Sequence, residues 1–175
     1  MKKNTGNSDM EQNIMRTVKI DKVVLSVGGT GEELEKGMKL LKVITDKNPS
    51  KRKSRKRIPS LGVRPNLEVG AMVTLRKNFE EILGKTLAAV NNTMRKKQVV
   101  ENHFSFGIHE YIEIPGIEYQ RDIGIIGLDI TVVFKRTGKR VGIRKIKTGR
   151  VSKKQAITKE EIIKFMEENF STKFR

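Results

Sequence analysis

Residues 20–34, IDKVVLSVGGTGEEL, decide the fold. As far as Val27 the side chains alternate: Val23, Leu25 and Val27 share one side, and Lys22, Val24 and Ser26 share the other. A period of two marks a half-buried strand. Gly28-Gly29-Thr30-Gly31 then interrupts with turn chemistry. Beyond it Leu34, Met38, Leu41, Val43 and Ile44 recur at helical spacing. Thr30 followed by Glu33 predicts a capping box at the start of this helix, and Asn48-Pro49 predicts its end.

The same two periods recur downstream. In AMVTLR, residues 71–76, Ala71, Val73 and Leu75 oppose Met72, Thr74 and Arg76. A second helix is expected from Asn78, capped with Glu81, with Phe79, Ile82, Leu83, Leu87 and Val90 as its stripe and Asn91-Asn92 as its stop. Phe104, Phe106 and Ile108 form one further strand pattern; Leu128, Ile130, Val132 and Phe134 form another, with the turn Ile114-Pro115-Gly116 between them. A last helix starts at Thr158 with Glu161 as capping partner and buries Ile162, Phe165 and Met166. Strands and helices in this order, without a repeat or a second core, predict one α+β domain over residues 16–175. Residues 1–15 are polar and pattern-free, and read as a tail. If the helices take one sheet face, the other stays free, carrying Lys22, Ser26, Thr74, Arg76, Thr131 and Lys135. Small hydroxyls among cations suit sugar hydroxyls and phosphates.

Charge points the same way. The 175 residues hold 37 Lys plus Arg against 20 Asp plus Glu, a net charge of +17. Such a surplus repels itself in a folded chain unless a polyanion is the partner. Lys51, Arg52, Lys53, Arg55, Lys56 and Arg57 lie within seven residues of the basic segment 50–68, which cannot pack inward and reads as an exposed loop or a solvated hairpin contacting nucleic acid. Residues 135–154 add ten cations and no acid. There is no Trp, and the Phe residues fall on core stripes, so backbone and shape recognition are favoured over base stacking. The chain has no Cys, which excludes disulfides and thiolate chemistry and suits a reducing cytoplasm. No apolar run reaches the roughly 18–20 residues of a membrane span, so no membrane partner is expected.

Three motifs invite catalytic readings and satisfy none. The GGTG turn lacks the Gly-Lys-Ser/Thr ending of a nucleotide loop. His109-Glu110-Tyr111-Ile112-Glu113 is half of a zinc-protease helix without its second His. Glu113, Glu118, Asp122 and Asp129 could pair for acid–base work, but in so basic a chain they are expected to neutralise Lys and Arg. No metal, cofactor or catalytic activity is expected.

VVLSVGGTGEELEKGMKLLKVIT, VTLR at 73–76, FSFGI at 104–108, IPG at 114–116 and IGIIGLDI at 123–130 follow in order and spacing. Together they resemble the universal large-subunit ribosomal protein number five family, which binds 5S rRNA, in its archaeal form, over roughly residues 16–170. The resemblance implies a curved, mainly antiparallel sheet with helices on one face and 5S rRNA on the other. It implies a structural role in the central protuberance, beside large-subunit rRNA and neighbouring ribosomal proteins. It also implies that the basic loop, through Lys51, Arg52, Lys53, Arg55, Lys56 and Arg57, reaches P-site tRNA. Carried over by position, the RNA-facing residues are Ser26, Lys47, Leu61, Arg64, Thr74 and Arg76, with Lys22 added from the sheet pattern. Thr74 and Arg76 match the family motif directly; Ser26 stands where Asn is usual, Lys47 where Gln is usual, and Leu61-Gly62 where an aromatic-centred turn is common. The alternative reading is a non-ribosomal basic protein binding RNA or DNA.

Overall fold

The chain is described over residues 14–175 in a computed structural model. Alternation produces the central strand. β1 (Val18–Gly28) buries Val23, Leu25 and Val27 and turns Lys22, Val24 and Ser26 outward. It also holds Val18 and Ile20 against the core, although a strict period of two would send even-numbered residues outward. A bulge between Ile20 and Lys22 resets the phase, leaving Asp21 as the extra residue.

α1 (Glu32–Thr45) follows the glycine turn. The expected Thr30–Glu33 capping box does not form: Gly31, with φ of 58°, takes the N-cap position, so the helix starts one residue later than the box requires. Glu32, Glu33 and Glu35 in the first turn complement the helix dipole instead. Leu34, Leu40 and Leu41 are buried, and Val43 is exposed rather than part of the stripe. Gly37 sits on β1 so closely that a Cβ there would lie 2.8 Å from a Val27 methyl. The helix ends before Asn48-Pro49, at Asp46, whose φ of 52° turns the chain away.

The remaining strands are β2 (Ser50–Lys53), β3 (Glu68–Leu75), β4 (Thr93–Met94), β5 (Val99–Val100), β6 (His103–Ile108), β7 (Leu128–Arg136) and β8 (Lys173–Phe174). Six form one antiparallel sheet in the order β2-β3-β1-β7-β6-β5; β4 and β8 pair in parallel beside it. The remaining helices are α2 (Glu80–Ala89), α3 (Arg140–Ile143) and α4 (Lys159–Phe170). Asn78 does not cap α2, because its φ of 54° makes it a turn residue and Phe79 takes the cap position. At α4 the capping box is complete: the Thr158 hydroxyl accepts from the Glu161 N–H, and the Glu161 carboxylate accepts from the Thr158 N–H. One core fills the space between sheet and helices, with Leu34, Leu40 and Leu41 from α1, Leu83 and Leu87 from α2, and Ile162 and Met166 from α4. The expected α+β class with helices on one sheet face holds. Most of the polar tail lies outside the described residues; Ile14–Arg16 form a 3-10 turn whose Ile14 carbonyl accepts from the Thr137 hydroxyl.

Two carboxylates join distant elements. Asp21, in the bulge, lies 2.8 Å from Lys135 and 3.9 Å from Lys139. Partial burial pushes its carboxyl up, but the Lys135 hydrogen bond and the charges of Lys135, Lys139 and Lys22 outweigh this and hold it below its usual range. Glu161 behaves alike: burial raises it, while the Thr158 backbone N–H and Arg136, 2.6 Å away, bring it down. Both folded-state values are depressed, so both groups contribute stability above the ordinary carboxylate pKa of about 4, and that stability is lost as pH falls through the folded value. The melting temperature is therefore expected to drop on acidification. Asp21→Asn and Glu161→Gln should lower it at pH 7 and flatten its acid limb, as read by melts across the acid range. An unchanged limb in both variants would remove these pairs from the account.

Candidate nucleic-acid interface

Register sets the outward residues in rows. Ser50, Met72, Ser26, Asp129 and Gly107 are neighbours across five strands. The next row is Thr74, Val24, Thr131 and Ser105, and the next Lys22, Val133 and His103. Neighbouring positions in a row are about 4.8 Å apart. The Ser26 hydroxyl donates at 3.5 Å to the Asp129 carbonyl. Among the described residues, the hydroxyls of Thr74, Thr131 and Ser105 have no hydrogen-bond partner. All three can donate to an incoming ligand. The phenylalanine rings of β6 and β7 point the other way, into the core.

Cations border this face. Lys22 is half-buried on it, and Arg76 follows the last residue of β3, exposed and, among the described residues, without an ion pair. Lys135 continues the face but is held by Asp21, so the sequence reading overstated its freedom. The other predicted RNA-facing residues lie elsewhere. Lys47 follows α1 and lines a cleft of about 470 Å³ on the helix side, with Lys77, Asn78 and Ile114. Leu61, 72% exposed, and Arg64 sit at the far end of the β2–β3 hairpin with Arg57.

That hairpin is the basic segment, and it is solvated as expected. Beyond β2 the ladder continues as the Ser54 N–H bonds Leu67 at 2.8 Å and the Asn66 N–H bonds Ser54 at 2.8 Å. Ile58 then bridges Val63 below a 3-10 turn at Pro59–Leu61. The six-cation run is therefore divided. Lys51, Arg52 and Lys53 belong to an edge strand, where charge also discourages pairing with another chain. Arg52 lies on the polar face against the Met72 thioether, while Lys51 and Lys53 border a cleft on the helix side. Lys51 pairs with Glu68 at 2.9 Å, and its hydrogen bond holds the Glu68 carboxyl below the usual range. Of the run, Arg55, Lys56 and Arg57 lie exposed on the outer arm, beside Arg64. Ser50, Arg52 and Ser105 were missed as face residues. The alternation of residues 50–53 was hidden by charge, and only pairing to β3 shows which of them point outward.

The catalytic motifs resolve structurally. His109 is exposed, and Tyr111–Glu113 form a 3-10 turn, not a helix; the buried Tyr111 hydroxyl accepts from the Gln120 N–H at 2.9 Å. Glu113, Glu118, Asp122 and Asp129 do not neutralise cations as expected. Among the described residues the paired acids are Asp21, Glu68, Glu81 and Glu161, which lie nearer to lysine or arginine. Asp129 instead stands on the polar face. The GGTG turn is a strand-to-helix connection in which the Gly29 N–H bonds the Val69 carbonyl at 3.1 Å.

Fold and face together define a basic α+β protein built around an open sheet surface. Comparison with known sequences is specific. A profile described as ribosomal protein L5 matches residues 13–64, and a second, describing the C-terminus of the same ribosomal family, matches residues 68–165. The large ribosomal subunit protein uL5 of Nanoarchaeum equitans is 40% identical over 158 residues, 88% of this chain and 94% of that protein. Its namesake from Sulfolobus acidocaldarius is 40% identical over 166 residues, 92% of this chain and 93% of the relative. That of Methanoregula boonei is 37% identical over 165 residues, 92% of this chain and 100% of the relative. The chain belongs to the ribosomal protein L5 family.

Proposed function

We propose that the polar sheet face binds 5S rRNA and that the outer β2–β3 arm contacts P-site tRNA, with neighbouring proteins of the central protuberance as further partners. Family membership makes the chain a structural, non-enzymatic constituent of the large ribosomal subunit in the cytoplasm, with rRNA as partner. The observation that carries the finer reading is the polar face on which, among the described residues, Thr74, Thr131 and Ser105 keep unpartnered hydroxyls in the row beside Lys22 and Arg76. Cations engage phosphates and set most of the affinity. Hydroxyls at fixed sheet spacing reach ribose 2′-OH groups and phosphate oxygens. The rows of this face hold no Phe or Tyr, so shape and backbone are read in preference to splayed bases. Lys47, Leu61 and Arg64 lie off this face. Leu61 and Arg64 belong with Arg55, Lys56 and Arg57 in the tRNA arm.

Competition binding of labelled 5S rRNA against tRNA and duplex DNA at several salt concentrations tests the reading. Unlabelled 5S rRNA should compete far better than either as salt rises, because folded shape survives where non-specific attraction is screened. Equal competition by random duplex at every salt concentration would leave only a generic basic protein.

A further inference from the structure

The parallel pair β4–β8 joins two cationic stretches that are far apart in the chain. Thr93 pairs with Lys173 and Met94 with Phe174. Met94 is buried and Phe174 packs against the core, so the junction is anchored. The Lys173 N–H bonds Asn92 at 2.7 Å, the Arg175 N–H bonds Met94 at 2.8 Å, and the Lys96 N–H bonds Arg175 at 2.8 Å. Arg95, Lys96, Lys97, Lys173 and Arg175 thereby meet at one corner. All five are exposed, and among the described residues none is in an ion pair.

Like charges on paired strands repel. Residues 91–100 and 171–175 hold no Asp or Glu side chain to offset them. A cleft of about 600 Å³ opens beside the corner, lined by Arg95, Gln98, Gly107, His109 and Arg175, with Glu113 as its one acid. Gly107 is also the end of the first row on the polar face. β5 pairs with His103 and Phe104, so beyond Ser105 the β6 edge is open among the described residues. The Phe134 N–H bonds the Asn102 carbonyl, and this register turns the N–H groups of Ser105 and Gly107 away from β7; the Val99–Phe104 pairing takes up that of Ser105 and leaves that of Gly107 at the open edge. Cations and the Gly107 backbone donor thus continue the polar face around its rim.

We infer that this corner is a second contact for the phosphodiester backbone of the RNA that lies on the sheet face. The inference rests on the 5S rRNA reading of that face. The fold accepts the repulsion among the five cations because a polyanion relieves it.

The test uses the full chain, 5S rRNA as probe, and the variant Arg95→Gln/Lys97→Gln/Lys173→Gln. Loss of three phosphate contacts should make the log K against log salt slope shallower by about 2–3, at about 0.7–0.9 per contact, and weaken binding about tenfold or more at low salt. The melting temperature should hold or rise, since repulsion is removed. If affinity and slope are unchanged while Thr74→Ala/Arg76→Ala weakens binding, the corner is not a contact and the face reading stands. If neither variant weakens binding, the face reading fails and the corner fails with it. Should the triple variant melt early, amine acylation of the unsubstituted protein decides. Protection of Lys96, Lys97 and Lys173 by bound 5S rRNA supports the contact, and equal labelling with and without RNA overturns it.

Discussion

Phe134→Ala should destabilise the protein by about 3–5 kcal/mol, the usual cost of deleting a buried ring and leaving its cavity. Phe134 is fully buried near the end of β7. Its ring centroid lies 5.8 Å from Phe104 on β6 and 5.6 Å from Phe165 on α4, the latter pair edge to face. One side chain therefore ties the middle of the sheet to the last helix. Against a typical total of about 5–15 kcal/mol, the loss is a large fraction of the stability. In a chain of this size it should lower the melting temperature by roughly 6–20 °C. Val133, its neighbour, is half-buried on the polar face, opposite the helices. Val133→Ala should cost about 1 kcal/mol or less, because no closed cavity follows. Thermal melts of the two variants compare the sheet faces directly. Equal losses would mean that the polar face is packed too, and that no RNA could lie on it.

The pattern that located this core also shows where sequence reading ends. The facing of Val23, Leu25, Val27, Val73 and Leu75 was legible because burial on one side forces a period of two. The bulge at Asp21 was not, since an extra residue is defined only by the partner strand, and β7 lies far away in the chain. Capping was legible at Thr158, where Lys159 already takes helical geometry. It failed at Thr30 and Asn78, where left-handed residues, Gly31 and Asn78 itself, shift the helix start. The candidate site divides in the same way. Thr74 and Ser26 share a face because each sits within an alternating strand, so local pattern sufficed. Ser105 was equally legible, alternating with Phe104 and Phe106, whereas Arg52 and Ser50 joined that face only through pairing, and Lys47 lies off it because it directly follows α1 on the helix side. The charge run 51–57 had no internal signal dividing strand from arm; register with Glu68, Gly70 and Ala71 draws that line.

Face and arm should separate in function. Thr74→Ala/Arg76→Ala removes a hydroxyl and a cation from the face without touching Val73 or Leu75, so the melt should barely move. Binding to 5S rRNA should fall about tenfold or more, by analogy with losing a charge-assisted hydrogen bond of about 1.5–3 kcal/mol. The salt slope should become shallower by about 0.7–0.9 if Arg76 meets one phosphate. Neutralising Arg55, Lys56 and Arg57 tests the arm. Lys51 is left intact because its bond to Glu68 belongs to the β2–β3 pairing. Relief of like-charge repulsion should leave stability equal or higher. Purified 5S rRNA binding should fall modestly, through lost long-range attraction, and the loss should shrink at high salt. The larger defect should appear in reconstituted ribosomes as faster release of P-site tRNA, since the arm carries its charge away from the sheet. An arm variant that loses 5S rRNA at every salt concentration while holding P-site tRNA normally would reverse the assignment. The hairpin would then be the primary rRNA contact, and the open face, with its unpartnered hydroxyls, would need a different ligand.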